Sequence, residues 1–138
     1  MLEIRKSESR TLSGYSPMNR NNYQRLHVYD ESLTLAKDIT RALHNMRPFR
    51  LSEQIIASAV SIPSNIAEGS QMNTPIHFIK FLTHASGSAA ELHTQLLIIK
   101  EIIETDSEEI NSWIIKTLEI QSMIRGLMKH LNQTKHTG

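Results

Sequence analysis

The chain contains no cysteine, which excludes disulfides, thiol catalysis and thiolate zinc sites together and fits a reducing compartment. Aromatic residues are only 5% of the 138 positions, and isoleucine and leucine carry most of the apolar mass. Strands favour valine, threonine and aromatics, so this palette leans towards helix. No stretch reaches the ~18 uncharged apolar residues of a membrane span. The start, MLEIRKSESRTLSG, has no apolar core of the kind a signal peptide carries. A cytoplasmic protein without a membrane contact is therefore expected. No glycine-rich phosphate loop, Gly-x-Ser-x-Gly elbow or His-Glu-x-x-His motif is present, and an enzyme is not expected.

What the chain does contain is a repeated helical period. Residues 1–22 are polar and aperiodic and read as a flexible arm. From Tyr23, two adjacent apolar rows follow 3,4 spacing: Leu26, Tyr29, Leu33, Ala36, Thr40 and Leu43, then Val28, Ser32, Leu35, Ile39, Ala42 and Met46. Pro48 disfavours helix at Arg47, which places the first stop near Met46. A second helix is expected from about Leu51, with Ser52 as a cap. Its apolar row is Ile55, Ala59, Ile62 and Ile66, flanked by Ile56, Val60 and Ala67, and its polar row is Gln54, Ser58, Ser61, Asn65 and Glu68. Pro63 should kink it, since proline removes a backbone donor and crowds the preceding turn. Gly69 is placed to end it.

Thr74-Pro75 reads as cap plus first-turn proline. The third helix keeps the longest period: Phe78, Leu82, Ala85, Ala89, Leu92, Leu96, Ile99 and Ile103. At ~1.5 Å per residue it is roughly 45 Å long. Midway lies a belt of small residues, Ala85 to Ala90. Gly87 inside it costs about 1 kcal/mol, so close approach of a neighbouring helix is the expected reason for it. Asp106 or Ser107 caps a fourth helix with Glu108 and Glu109 in its first turn. Its core row is Trp113, Thr117, Ile120, Ile124, Leu127 and Leu131, and residues 132–138 should fray. Four helices joined by short loops predict an all-α, antiparallel up-down-up-down four-helix bundle over residues 23–131, with a kinked second helix. The surplus of apolar rows points to self-association, an ordinary generous core being the alternative.

Three sets of side chains stand out. Lys37, Arg41 and His44 share a row, with Arg47 and Arg50 following. A phosphate-binding rim and a solvated face are the two readings. The charge distribution supports the first: residues 1–50 carry nine Lys/Arg against five acids, whereas 51–131 carry five against nine. In a symmetric ring that row would be repeated, and the arm with Arg5, Lys6, Arg10 and Arg20 would reinforce it. Asn65 and Glu68 share one face and Glu91 and Gln95 another, being three or four residues apart. If helices two and three pack antiparallel, the pairs are expected to meet in a polar network that fixes register, rather than in a catalytic acid–base pair. His77 and His84, with Glu91 a heptad on, read as surface histidines rather than a metal site, because no Glu-x-x-His pair accompanies them. No metal or cofactor is expected.

The segment Ser61-Ile62-Pro63-Ser64-Asn65-Ile66-Ala67-Glu68-Gly69 is followed at fixed distances by Phe78-Ile79-Lys80-Phe81-Leu82, Ala85-Ser86-Gly87-Ser88 and Ala90-Glu91-Leu92-His93-Thr94-Gln95-Leu96. Together these resemble the four-helix-bundle family encoded in intervening sequences of bacterial large-subunit ribosomal RNA genes. The resemblance spans roughly residues 23–131. It implies a ring-shaped homopentamer and kinship with the accessory protein of diversity-generating retroelements. That relative is a basic pentamer that binds nucleic acid, RNA or DNA, and a reverse transcriptase. The chain departs from the family where charge matters. Gln54-Ile55-Ile56-Ala57 stands where members commonly have two arginines, and Ser70-Gln71-Met72-Asn73 where many have a basic run. The expectation is thus a homo-oligomeric accessory protein that binds nucleic acid through its N-terminal third. The alternative is a protein–protein scaffold without that affinity.

Overall fold

A computed structural model of the protein describes residues 20–103 and 107–137, with side chains for 24–103 and 107–133. Residues 1–19 of the expected arm, and Asp106 as a cap, lie outside the described residues. The chain forms four helices: α1 Arg20–Leu43, α2 Phe49–Ser70, α3 Pro75–Ile103 and α4 Glu108–Thr137. Each packs against the next, and α4 closes against α1, so α1 and α2 form one side of an antiparallel bundle and α3 and α4 the other. α4 runs as helix through residues 132–137, where fraying was expected.

The buried rows are those of the 3,4 pattern. Ile55, Ala59, Ile62 and Ile66 of α2 are buried, as are all of Phe78 to Ile99 in the α3 row and Trp113 to Leu131 in the α4 row. On α1 the second row supplies most of the core: Val28, Ser32, Leu35 and Ile39 are buried with Ala36 and Leu43. Burial at ~25 cal/mol per Å² of apolar surface drives this assembly. Thr117 fits the core because its hydroxyl donates to the Trp113 carbonyl at 2.7 Å, so no buried polar group is left open there.

The turns differ from expectation in instructive ways. α1 ends at Leu43 rather than Met46. His44 N still bonds Thr40 O, but Met46 N already bonds Leu43 O in a tightened turn. α2 begins at Phe49, with Pro48 as its N-cap and no side-chain cap. Proline's fixed φ suits a helix start, and Ser52 N donates to Pro48 O at 3.0 Å as the first helical bond. Ser52 is therefore not the cap; it is buried one turn inside, its hydroxyl unpartnered. α2 passes through Pro63 as one element. At α3 the capping expectation holds: His77 N donates to Thr74 Oγ1 at 3.3 Å, and Pro75 is the first helical residue. Ser107 caps α4, accepting from Ile110 N at 3.3 Å.

Gly69 does not end α2 by a left-handed turn, because the helix continues to Ser70 and Gln71 follows in right-handed geometry. Its role is steric: a Cβ there would lie 2.7 Å from Phe81 Cβ and 2.8 Å from Phe78 Cδ1. Gly87 is the reverse case. A Cβ at that exposed position meets nothing within 4 Å, so within the chain it admits no close helix. Ala85 and Ala89, its fully buried neighbours in the belt, do the close packing.

α4 is tied to α1 by Lys116, whose Nζ lies 3.1 Å from Glu31 Oε2 and 3.1 Å from Glu119 Oε2. Hydrogen bonds to Glu119 and then to Glu31 hold the ammonium above its ordinary 10.5. A raised pKa means the folded state binds the proton more tightly. The stabilisation is complete below pH 10.5 and is lost as pH rises through the folded value. Since Lys116 is 37% exposed, the pair is worth at most about 1 kcal/mol. Lys116→Met should lower urea-unfolding stability by up to that amount at pH 7 and by less at pH 11. Gly69→Ala should destabilise by about 1–3 kcal/mol through overpacking. Gly87→Ala should stabilise by up to about 1 kcal/mol, since only helix propensity changes. Equal melting shifts of the same sign would contradict this division.

Candidate functional site

The basic row lies at the end of the bundle that carries the α1–α2 turn. Arg41, His44, Arg47 and Arg50 are exposed and Lys37 is half-buried. Helix geometry puts Lys37 and Arg41 on one face of α1, with His44 just past its end, Arg47 in the turn and Arg50 in the first turn of α2. Arg41 is offset by Asp38 at 3.8 Å in an exposed i,i+3 pair, which is weak. The Arg47 guanidinium stands 5.3 Å from the Phe49 ring centroid, holding it over an exposed aromatic face. Neither Arg47 nor Arg50 has an acidic partner among the described residues.

Lys37 and Arg41 also line a recess of about 490 Å³ between α1 and α2. Its floor is apolar: Tyr29, Leu33, Ala36, Val60, Pro63 and Ala67. They come from the first α1 row and from the α2 face that carries Val60, with Ala36 and Pro63 buried and Val60 exposed.

The hydrogen bonds at the α2–α3 seam centre on Ser61, Asn65 and Ser88. Ser61 Oγ and Ser88 Oγ are 2.8 Å apart across the α2–α3 seam. Asn65 Nδ2 donates to the Ser61 carbonyl at 2.9 Å and to Ser61 Oγ at 3.0 Å. Asn65 and Glu91 line the same recess, about 480 Å³, with Ser61, Phe81, His84, Gly87 and Ser88. Glu68 and Gln95 do not line it, and Gln95 Oε1 is buried without a partner. The reason is register. In an antiparallel hairpin, residues equally far from the turn meet. Gly69 faces Phe78 and Phe81, which puts Glu68 level with Phe81 and about 15 Å along α3 from Glu91. His84 makes no hydrogen bond to either serine among the described residues, so the recess has no nucleophile–base pair. No group of three or more metal-binding side chains is found among the described residues, and no described helix is long and apolar enough to cross a membrane.

Arg25, which no motif singles out, also joins elements. Its Nη1 donates to the Ser70 carbonyl at the end of α2 at 3.4 Å. Its guanidinium stacks 4.8 Å from the Phe78 ring centroid. Burial lowers its pKa from the ordinary arginine value without discharging it. A positive charge at a helix C-terminus complements the macrodipole. The signal was available: Arg25 extends the buried row Val28, Ser32, Leu35 and Ile39 by one step of three, a cation on a core face.

These features define a class: an antiparallel helical bundle with surface recesses, an exposed basic turn and no assembled catalytic group among the described residues. The chain belongs to the 23S rRNA-intervening sequence protein family, whose model matches residues 24–126. It is also similar to the crystal structure of a protein of unknown function from the S23 ribosomal protein family of Bacteroides thetaiotaomicron. The TM-score is 0.71 and the identity 28%, covering 77% of this chain and 98% of that one. No curated protein matches the chain. No catalytic family is indicated by these likenesses.

The Ser61–Ser88 contact should couple α2 to α3. A double-mutant cycle of Ser61→Ala and Ser88→Ala is expected to show about 0.5–1.5 kcal/mol of interaction in urea unfolding. Strict additivity would show that the hydroxyls do not bond each other.

Proposed function

We propose that the protein is a non-catalytic, self-associating bundle that contacts nucleic-acid backbone through its α1–α2 turn. The observation that carries this reading is the run of exposed cations Arg41, His44, Arg47 and Arg50 at one end of the bundle, with Arg47 and Arg50 free of any carboxylate partner among the described residues. Paired arginines are neutralised locally, whereas unpaired exposed ones are available to phosphate. Guanidinium forks match phosphate oxygens in two-point geometry. The N-terminal fifty residues are net basic and the rest of the chain net acidic, within a total of +1, a separation that steers a polyanion towards this end. The contact is with backbone, not bases, so RNA and DNA are bound alike and salt weakens both.

A second reading, a protein–protein scaffold without nucleic-acid affinity, is supported by the exposed apolar side chains Leu97, Ile98, Ile102, Ile115 and Leu118 on α3 and α4. Charge reversal separates the two. Arg47→Glu with Arg50→Glu should weaken binding of RNA and duplex DNA at least about tenfold at ~50 mM salt. It should also reduce the slope of log affinity against log salt by about two, read by fluorescence anisotropy. Unchanged affinity and slope would leave the scaffold reading in possession.

A further inference from the structure

Gly87 weakens α3 at its middle, because glycine is a poor helix former. Nothing within the chain requires it there, since a Cβ would meet no atom within 4 Å. It is exposed and belongs to the lining of the recess of about 480 Å³ on the α2–α3 seam. What the missing side chain keeps open is therefore the recess itself. Its volume falls within the range of about 300–1,000 Å³ common to small-molecule sites.

The groups around that opening are suited to a cation. Glu91 supplies a carboxylate, and the lining holds neither lysine nor arginine. Glu91 is exposed and has no ion pair among the described residues. Helical side chains lean towards the N-terminus of their own helix, so Glu91 reaches back over Gly87, one turn earlier. Asn65 leans the same way on α2, where its Nδ2 donates to the Ser61 carbonyl at 2.9 Å and to Ser61 Oγ at 3.0 Å. Its Oδ1 is left as an acceptor. Ser61 in turn meets Ser88 across the seam at 2.8 Å, so Glu91 and Asn65 converge on the open backbone at Gly87. The other end is walled by the rings of Phe81 and His84, 6.3 Å apart and tilted by 59°. The face of a phenyl ring attracts a cation. From Phe81 to Glu91 the recess follows α3 for about 15 Å.

We propose that this recess binds a linear aliphatic polyamine. One terminal ammonium pairs with Glu91, an inner N–H donates to Asn65 Oδ1, and the other terminal ammonium lies on the Phe81 ring. The methylene chain between them crosses the bare backbone at Gly87, where any side chain would stand in its way. The length of the recess selects the class of ligand. A cation that uses only one end leaves either the carboxylate or the ring unoccupied, whereas an extended polyamine engages both. The site is separate from the basic turn: Arg50 lies eleven residues before Ser61, about 16 Å along α2. Polyamine binding therefore stands or falls independently of the nucleic-acid reading.

Titration calorimetry of the full chain with spermidine, putrescine and n-butylamine tests this. Salt of about 0.15 M screens exposed charges more than about 8 Å apart. Spermidine should bind at one site per chain and at least about tenfold more tightly than n-butylamine, with putrescine between them. Glu91→Gln and Gly87→Leu should each weaken spermidine at least about tenfold. Both alter exposed positions, and circular dichroism should show the helices retained. Glu101→Gln with Glu108→Gln removes two carboxylates elsewhere and should leave spermidine affinity unchanged, as should Arg47→Glu with Arg50→Glu. Equal affinity for n-butylamine and spermidine would overturn the proposal in favour of a pocket for a single basic side chain. So would the absence of spermidine binding, a Gly87→Leu variant that binds normally, or a loss in Glu101→Gln/Glu108→Gln as large as that in Glu91→Gln, which would mark a diffuse charge effect.

Discussion

The fold depends on one close approach, that of α2 to α3 at Gly69. With no side chain there, the Phe78 and Phe81 rings lie against the α2 backbone, and the short Gln71–Thr74 connection then leaves the hairpin a single register. Everything further along the pair follows from it: Ser61 meets Ser88, Ile62 and Ile66 fall into the core with Leu82 and Ala85, and the Ser70 carbonyl is presented where Arg25 reaches it. Arg25 adds the third helix to the arrangement, stacking on Phe78 while it bonds the end of α2. The same phenyl group therefore packs on glycine and carries a cation, which binds three helices at one end of the bundle.

At the opposite end the constraints are looser and the surface is richer. The α1–α2 turn carries backbone bonds and a proline between the buried Leu43 and Ser52, and its charged residues Arg41, His44, Arg47 and Arg50 face solvent. The neighbouring α3–α4 half keeps five large aliphatic side chains outside. A core cannot absorb them, because each helix already directs one full 3,4 row inward and a four-helix bundle has only one interior.

Period-based features were legible because they need only local geometry. The core rows of α2, α3 and α4, the Thr74-Pro75 start and the Ser107 cap each follow from spacing within one helix. Features that join two helices were legible only in part. Asn65 and Glu91 line one recess while Glu68 and Gln95 lie away from it, since the level at which two helices meet is set by the turn and by Gly69. Glycine is ambiguous in a sequence for the same reason. Spacing alone makes Gly69 a helix end and Gly87 a close contact, whereas the first is the close contact and the second is open. Both are helical glycines without a positive φ, and only the neighbouring helix distinguishes them.

The sequence by itself determined the all-helical class, the order of the four elements and which face of each is buried, because a 3.6-residue period converts linear spacing directly into one apolar stripe. It also carried the stretch, residues 24–126, that the family model matches. Only the tertiary structure decided which polar groups meet. Ser61 with Ser88, Arg25 with Ser70 and Lys116 with Glu31 each join residues far apart in the chain, at distances fixed by how helices are levelled against one another. It alone decided, too, which apolar rows remain outside, since burial belongs to a pair of surfaces and never to one helix.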